Sequence, residues 1–421
     1  MHVSTKVLVV GTTPDYIDWI RRSCPERALF LTEPAARRKA QEPCPSPAEE
    51  ILCDLSDYDR AKQLLERHLL EEKMQLGGIV SFDCESMELA AVLAQQYRLP
   101  YPSVRAVQNC RDKFLSKTLW QKQGLDTPRH RLVRSANEAA NYFRELGAAG
   151  VLKPLSGSGS ELIFLCDSAA EFEQSFLKIQ SGLQQRRAQR LYQSCRADDA
   201  AILAEECVEG SEYSCDFVME DGRVEIIRLT RKILAPWKPF GTALGYYLPA
   251  ALPAEIDEHN LLQTLYRSAT ALGLDRALCM LDFMVCEGRI VLLELAPRPG
   301  GDCLPFLLRR SRGLDILKFF LDFSQRRPLR LNHSSDPRAF IGLRLHARQG
   351  GILKKIDAHR LQQDGRVHEI HLIRKAGHSI KLPPDDYDSW LLGHIIFEPD
   401  AVGEAASQCR ELLEKLALEI D

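Results

Sequence analysis

Two apolar runs in the second half of the chain, Cys279-Met-Leu-Asp282-Phe-Met-Val285 and Ile290-Val-Leu-Leu-Glu294-Leu-Ala296, each carry one carboxylate near the middle. Glu287-Gly288 between them signals a turn. Read as adjacent antiparallel strands, the runs can set Asp282 and Glu294 on a shared face. A bare charge among such residues is expensive, so each acid needs a cation, a metal ion or a hydrogen-bonding partner. The pair suits Mg²⁺, which takes oxygen ligands and few protein carboxylates. A structural salt bridge would satisfy the two acids as well.

At 421 residues the chain is too long for one ordinary core, which predicts roughly two to four domains or subdomains. A net charge of −3 argues against a nucleic-acid or anionic-membrane binder, since both attract basic proteins. The 13 cysteines include no C-x-x-C pair, so neither a zinc ribbon nor a thioredoxin motif is suggested. An odd thiol count with no leader segment predicts reduced cysteines and a cytoplasmic protein. No apolar stretch approaches the roughly 18–20 residues needed to span a bilayer.

Lys6-Val-Leu-Val-Val10-Gly11 reads as the first buried strand of a parallel sheet, and a helix over 57–73, a strand over 77–81 and a helix over 85–97 extend the alternation. Residues 1–108 are therefore expected to form an open parallel α/β domain. Gly11-Thr-Thr-Pro14 is not a dinucleotide fingerprint. Residues 109–195 read as a small α+β unit with helices over 111–123 and 136–146 and strands over 130–133, 150–153 and 162–165. From 196 to 330 the pattern is mainly antiparallel, with strands near 202–205, 212–219, 224–229, 279–286 and 290–294 and helices over 260–271 and 313–323. Residues 331–421 are expected to form a small α/β unit opened by a loop over 332–337, with strands near 339–346, 368–373 and 394–397 and a last helix over 401–420. The fold class is thus mixed α/β and α+β.

Further residues belong to the same chemistry as the two acids. Lys113 and Lys153 are candidate cations for a triphosphate, whose charge must be neutralised before phosphoryl transfer. Lys153 opens Lys153-Pro-Leu-Ser156-Gly157-Ser158-Gly159-Ser160, where glycines let backbone N–H groups approach phosphate and serines add donors. An ordinary flexible hairpin loop has the same composition. No Walker-type loop and no kinase H-R-D or D-F-G is present. Glu205-Glu206-Cys207-Val208-Glu209-Gly210-Ser211-Glu212 offers a strand edge to read adenine and a carboxylate for ribose hydroxyls, or simply an acidic turn. Arg298, just after the metal-type hairpin, has the planar fork that clamps a carboxylate or acyl-phosphate.

In this order the motifs resemble the ATP-grasp superfamily over roughly residues 110–325, and the preceding α/β unit fits the domain that precedes the grasp in that superfamily. The resemblance implies that Lys113 and Lys153 contact ATP phosphates and that Ser156 to Ser160 close over them. It implies that Glu205 and Val208 frame the adenine with backbone groups of Glu206 and Cys207, and that Glu212 holds the ribose. Asp282 and Glu294 would ligate Mg²⁺, with Mn²⁺ as a substitute, and Arg298 would stabilise an acyl-phosphate. Within the superfamily the chain is most similar to L-amino-acid ligases, on Leu229-Thr-Arg-Lys232, Gly245-Tyr-Tyr-Leu-Pro249 and Pro297-Arg-Pro-Gly-Gly301. Lys232 would then help bind the transferred phosphate. The implied activity is a carboxylate–amine ligase acting on a small carboxylic acid and an amine such as an amino acid, with a homodimer as a candidate assembly. A bicarbonate-phosphorylating enzyme, with Asp302 near the reacting centre, and a non-catalytic nucleotide-binding module are the competing readings. Two departures stand out: Ala296 replaces an asparagine common in the superfamily, and Tyr246 replaces a histidine common in the peptide ligases.

Overall fold

A computed structural model describes residues 4–193, 201–237, 239–328, 331 and 338–421. The first four strands form a wholly parallel sheet in the order Glu50–Leu52, Ala28–Thr32, Ser4–Val10, Met74–Val80. Successive residues of the first strand feed two different cores. Leu8 and Val10 pack with the helices Tyr58–Glu71 and Met87–Tyr97, whereas Val7 and Val9 pack with Phe319, Phe320 and Phe323 of a much later helix. The sheet is therefore buried on both faces, as its continuous Val/Leu run requires. The second face also docks the N-terminal unit onto the rest of the chain.

A four-stranded sheet follows, in the order His130–Val133, Ile202–Glu206, Gly150–Lys153, Phe164–Cys166, with every pair antiparallel. The strand Ile202–Glu206 lies at its interior and carries Glu205 against Val151. The largest sheet has eight strands, and its order is Arg289–Ala296, Ala277–Cys286, Ser211–Glu220, Arg223–Leu234, Ala243–Leu248, Phe340–His346, Leu391–Phe397, Val367–Leu372. It runs without a break past residue 330, because Ala243–Leu248 is hydrogen-bonded to Phe340–His346. The expected loop over 332–337 lies outside the described residues.

One helix expectation needs correction, and two gain a neighbour. The helix expected over 111–123 is Lys113–Lys122, and a helix that was not expected, Val104–Arg111, precedes it across Asp112. The Asp112 carboxylate accepts from the N–H groups of Phe114 and Leu115, so one residue ends the first helix and caps the second. This places Lys113 on the first turn. The helix expected over 313–323 is Ile316–Ser324, and a helix that was not expected, Leu304–Arg312, precedes it and ends at Gly313 with φ +67°. The last helix stops at Leu413, and Ala417–Ile420 is a strand against Gly351–Asp357. There the alternation of Leu416, Leu418 and Ile420 follows the two-residue period of a strand, and all three pack on the C-terminal core.

A buried ion pair joins two neighbouring strands of the largest sheet. The Arg228 guanidinium donates twice to Asp216, from Nε and Nη2 at 2.8 Å each, and its Nη1 donates to the Ser214 carbonyl and the Thr230 hydroxyl. Asp216 also accepts the Gly300 N–H at 3.1 Å. A Cβ on Gly300 would stand 2.3 Å from Arg228 Nη2, so only glycine fits this close approach. The pair thereby fixes the turn that carries Arg298. Substituting Asp216→Asn leaves a buried guanidinium without its counter-charge and should cost about 3–5 kcal/mol of stability. Urea unfolding of the variant checks this; a change below about 1 kcal/mol would contradict the role of the pair.

Candidate functional site

Asp282 and Glu294 are direct Cα partners on neighbouring antiparallel strands, so both side chains project from one face. The Lys232 ammonium lies 2.7 Å from Asp282 Oδ2 and 2.6 Å from Glu212 Oε1. Burial works against its charge, but Asp282 and Glu212 hold its pKa above the ordinary lysine value. Lys113 reaches the other acid, with Nζ 3.3 Å from Glu294 Oε1 and 3.1 Å from the Gly157 carbonyl. The sheet face thus carries three acids and the Lys232 ammonium from four strands, with the Lys113 ammonium added from one helix.

Glu205 is buried between two further ammonium groups, Lys153 at 2.6 Å and Lys117 at 3.2 Å. Burial pushes its carboxyl up, yet the two lysines hold it below the usual range. Its carboxylate therefore serves the cations. Lys117 was not foreseen. It stands one helical turn after Lys113, and its Nζ also donates to the Leu293 carbonyl. Burial pushes its pKa down to about 8, with the Glu205 charge opposing. The signal for it was present, because a lysine four residues from another shares its helix face.

The Gly/Ser loop joins two antiparallel strands and is pinned at both ends. The Ser156 hydroxyl donates to the Leu191 carbonyl, and the Ser160 hydroxyl donates to the Gly241 carbonyl. Gly157 and Gly159 have positive φ, and Gly159 has open space where a side chain would stand. Ser158 sits between them at the tip. In the segment after Glu205, the N–H groups of Glu206 and Cys207 are already donated to the carbonyls of Arg129 and Ala149. The expectation that backbone groups of Glu206 and Cys207 serve together therefore narrows to their carbonyls and the Val208 N–H. The Glu206 side chain turns away to Arg129, at 2.6 Å from Nε.

Arg298 follows the hairpin and reaches the N-terminal unit. Its Nε and Nη2 donate to Cys84 Sγ at 3.3 and 3.1 Å, and Nη1 donates to the Pro299 carbonyl. Burial opposes its charge, while Cys84, Asp83 and Glu294 favour it and keep it protonated. A thiol is a weak acceptor, so the fork retains capacity for a stronger anion. Cys84 has no sequence signal, since its partner lies in another unit of the chain.

The donor set fits magnesium. Asp282 Oδ1 is buried with no hydrogen-bond partner, Glu294 is half-buried, and two carboxylates with phosphate and water complete its usual shell. Ala296, buried two residues beyond Glu294, offers no side-chain oxygen.

The ATP-grasp domain family matches residues 146–305, which hold the loop, Glu205, Lys232, the acid pair and Arg298. The segment 146–305 is thus similar to an ATP-grasp domain. Among curated relatives, a D-alanine–D-alanine ligase of Acidovorax ebreus is 30% identical over 213 residues, 48% of this chain and 58% of that protein. Another, from Paracidovorax citrulli, is 28% identical over 60% of this chain and 70% of its own length. The chain thus spans less than two thirds of the first of these relatives. Among solved structures, an L-amino acid ligase from Bacillus licheniformis aligns over the whole of both chains with a TM-score of 0.76 at 18% identity. A biotin carboxylase from Campylobacter jejuni aligns over 99% of this chain and 92% of its own with a TM-score of 0.66 at 14% identity. These structural likenesses establish the ATP-grasp architecture, including the parallel domain ahead of it. Among the described residues no helix is long and apolar enough to cross a membrane.

Below about pH 8 Lys117 carries a positive charge, and above it that charge is lost from the lysine cluster. Affinity for a non-hydrolysable ATP analogue is therefore expected to fall as pH rises through this value. In Lys117→Met the affinity should be lower by about tenfold and its dependence near this pH flatter, as read by calorimetric titration across pH. Identical pH profiles for the two proteins would exclude Lys117 from the nucleotide's electrostatics.

Proposed function

We propose that the chain is an ATP-dependent carboxylate–amine ligase that forms an amide or peptide bond and releases ADP and phosphate. The observation that carries this reading is the opposition of Asp282 and Glu294, with Lys232 and Lys113 upon them and the Arg298 turn immediately after. The names of the curated relatives, which describe the joining of amino acids, favour an amine acceptor over bicarbonate.

Lys113, Lys117 and Lys153 neutralise the triphosphate, and Glu205 keeps two of these ammonium groups fixed. The Ser156 and Ser160 hydroxyls are engaged within the protein, so contact with phosphate falls to the N–H groups of the loop and to Ser158. The Glu206 carbonyl and Val208 N–H read the adenine edge, and Glu212 binds the ribose while sharing Lys232. Magnesium, or manganese in its place, held by Asp282 and Glu294, supplies positive charge against the phosphate oxygens.

In the first step a carboxylate oxygen of the acid attacks the γ-phosphorus, and the bond to the ADP oxygen breaks. Lys232 holds the transferred phosphoryl group, and Arg298 aligns the acyl-phosphate oxygens with its planar fork. In the second step the amine attacks the acyl carbon and phosphate leaves, with the amine proton passing to solvent or phosphate. The pinned Gly/Ser loop excludes water, which would otherwise hydrolyse the intermediate. The supply of ATP fits a cytoplasmic setting, and a homodimer is the expected assembly.

Glu294→Gln and Arg298→Ala should each lower ADP release by about 100-fold or more while leaving the thermal midpoint nearly unchanged. A phosphate-release screen over paired acids and amines, with mass spectrometry of the product, checks the activity. Near-normal turnover in either variant would refute these roles.

A further inference from the structure

The polar face of the large sheet does not end at Lys232. Lys232 is the Cα partner of Tyr246, Tyr246 is the partner of Gly342, and two residues along the same strand stands Arg344, whose own partner is His394. Neither Arg344 nor His394 has a task in the reaction described above.

Arg344 is held as a binding group would be. Its Nε lies 2.5 Å from Asp302 Oδ2, and its Nη1 donates to the Ala243 carbonyl at 3.1 Å. The buried Nε makes no aligned hydrogen bond beyond that ion pair, so the guanidinium is not fully satisfied within the protein. The side chains of Arg344 and Asp302 remain 17% and 25% exposed, so solvent and small solutes reach the pair. Asp302 comes from the turn after Arg298 and adopts a φ of +58°, in the left-handed region that aspartate tolerates better than most side chains. A Cβ on Gly301 would stand 3.9 Å from Arg298 Nη1 and 4.0 Å from the Tyr16 hydroxyl, so Arg298 borders the same turn.

His394 supplies an independent observation. It is only 5% exposed, and its Nε2 has no hydrogen-bond partner. Buried polar atoms are seldom left so. Burial pushes its pKa down to about 4, so the ring is neutral at ordinary pH, and one neutral tautomer carries its proton on Nε2. An open guanidinium edge and a neutral N–H donor together match a carboxylate. Two strand steps of about 4.8 Å separate the Lys232 strand from the Arg344 strand, which sets Arg344 farther along the face than the phosphate-binding lysine.

We propose that Arg344, oriented by Asp302 and assisted by His394, binds a second, non-reacting carboxylate of the substrates. This rests on the ligase reading. That carboxylate has two sources: the α-carboxylate of an amino-acid acceptor, or the far carboxylate of a dicarboxylic donor.

Hydroxylamine trapping in the full-length protein with ATP and Mg²⁺ first identifies a donor acid as its hydroxamate. In the acceptor arm, that acid is paired with L-alanine or ethylamine, which differ by the carboxylate. In the donor arm, succinate and butyrate are compared with hydroxylamine as acceptor. The expected result is a preference of about 100-fold in kcat/KM for the carboxylate-bearing member in one arm. Arg344→Leu should narrow that ratio by about 30-fold or more, mainly through KM, and Arg344→Lys should restore part of it. Equal use of both members in both arms by the unmodified protein overturns the proposal without any variant. A preference that survives Arg344→Leu overturns it too. Absence of any hydroxamate across the acid panel overturns the ligase reading itself, which separates that failure from the failure of this subsite.

Discussion

Charge buried in an apolar sheet must be answered by charge, and that requirement organises this molecule. Asp282 and Glu294 stand in the middle of hydrophobic strands, and each is met by an ammonium group from elsewhere in the chain. Glu205 is buried more deeply and takes two. Asp216 is buried completely and takes a guanidinium in a bidentate grip. Removing a partner of Glu205 or Asp216, the two most deeply buried, leaves a charge whose desolvation nothing repays. The strands, the first turn of Lys113–Lys122 and the Arg298 turn are locked to one another by these pairings as much as by the cores between them.

The pairings also prepare the chemistry. In the isolated protein the acids and lysines neutralise one another, so the site is electrically quiet. In the proposed reaction a triphosphate with its metal would bring both signs of charge, and each protein group would gain a new partner as its old one is drawn away. Little reorganisation is needed, since the side chains already converge, and preorganised charge of this kind is the main resource of phosphoryl-transfer enzymes.

Much of this was legible in the sequence where the information was local. The parallel opening sheet followed from a continuous β-branched run, and the metal-type hairpin from two acids in apolar strands. The helix Ala136–Leu146 and the strands His130–Val133 and Gly150–Lys153 have the boundaries their periodicity predicts. What was not legible depends on partners distant along the chain. Lys117 becomes significant only because Glu205 packs beside it, and Cys84 only because Arg298 crosses to the N-terminal unit. The short helix Val104–Arg111 was not read at all, and Asp112 both ends it and caps the helix that follows. The final residues alternate over so few positions that a helical reading was natural until Gly351–Asp357 supplied a pairing edge.

The uninterrupted sheet has a consequence for how the chain can be divided. The strand Ala243–Leu248 lends its outer hydrogen bonds to Phe340–His346, so the catalytic half and the C-terminal part share one ladder. A fragment ending near residue 330 would carry that strand as a bare rim, with unpaired amides and the apolar side chains of Ala243 and Leu244 laid open. Such rims recruit whatever β-structure is nearby, including other copies of themselves. The last ninety or so residues are thus a seal on the catalytic sheet, and by carrying Arg344 and His394 they complete its polar face.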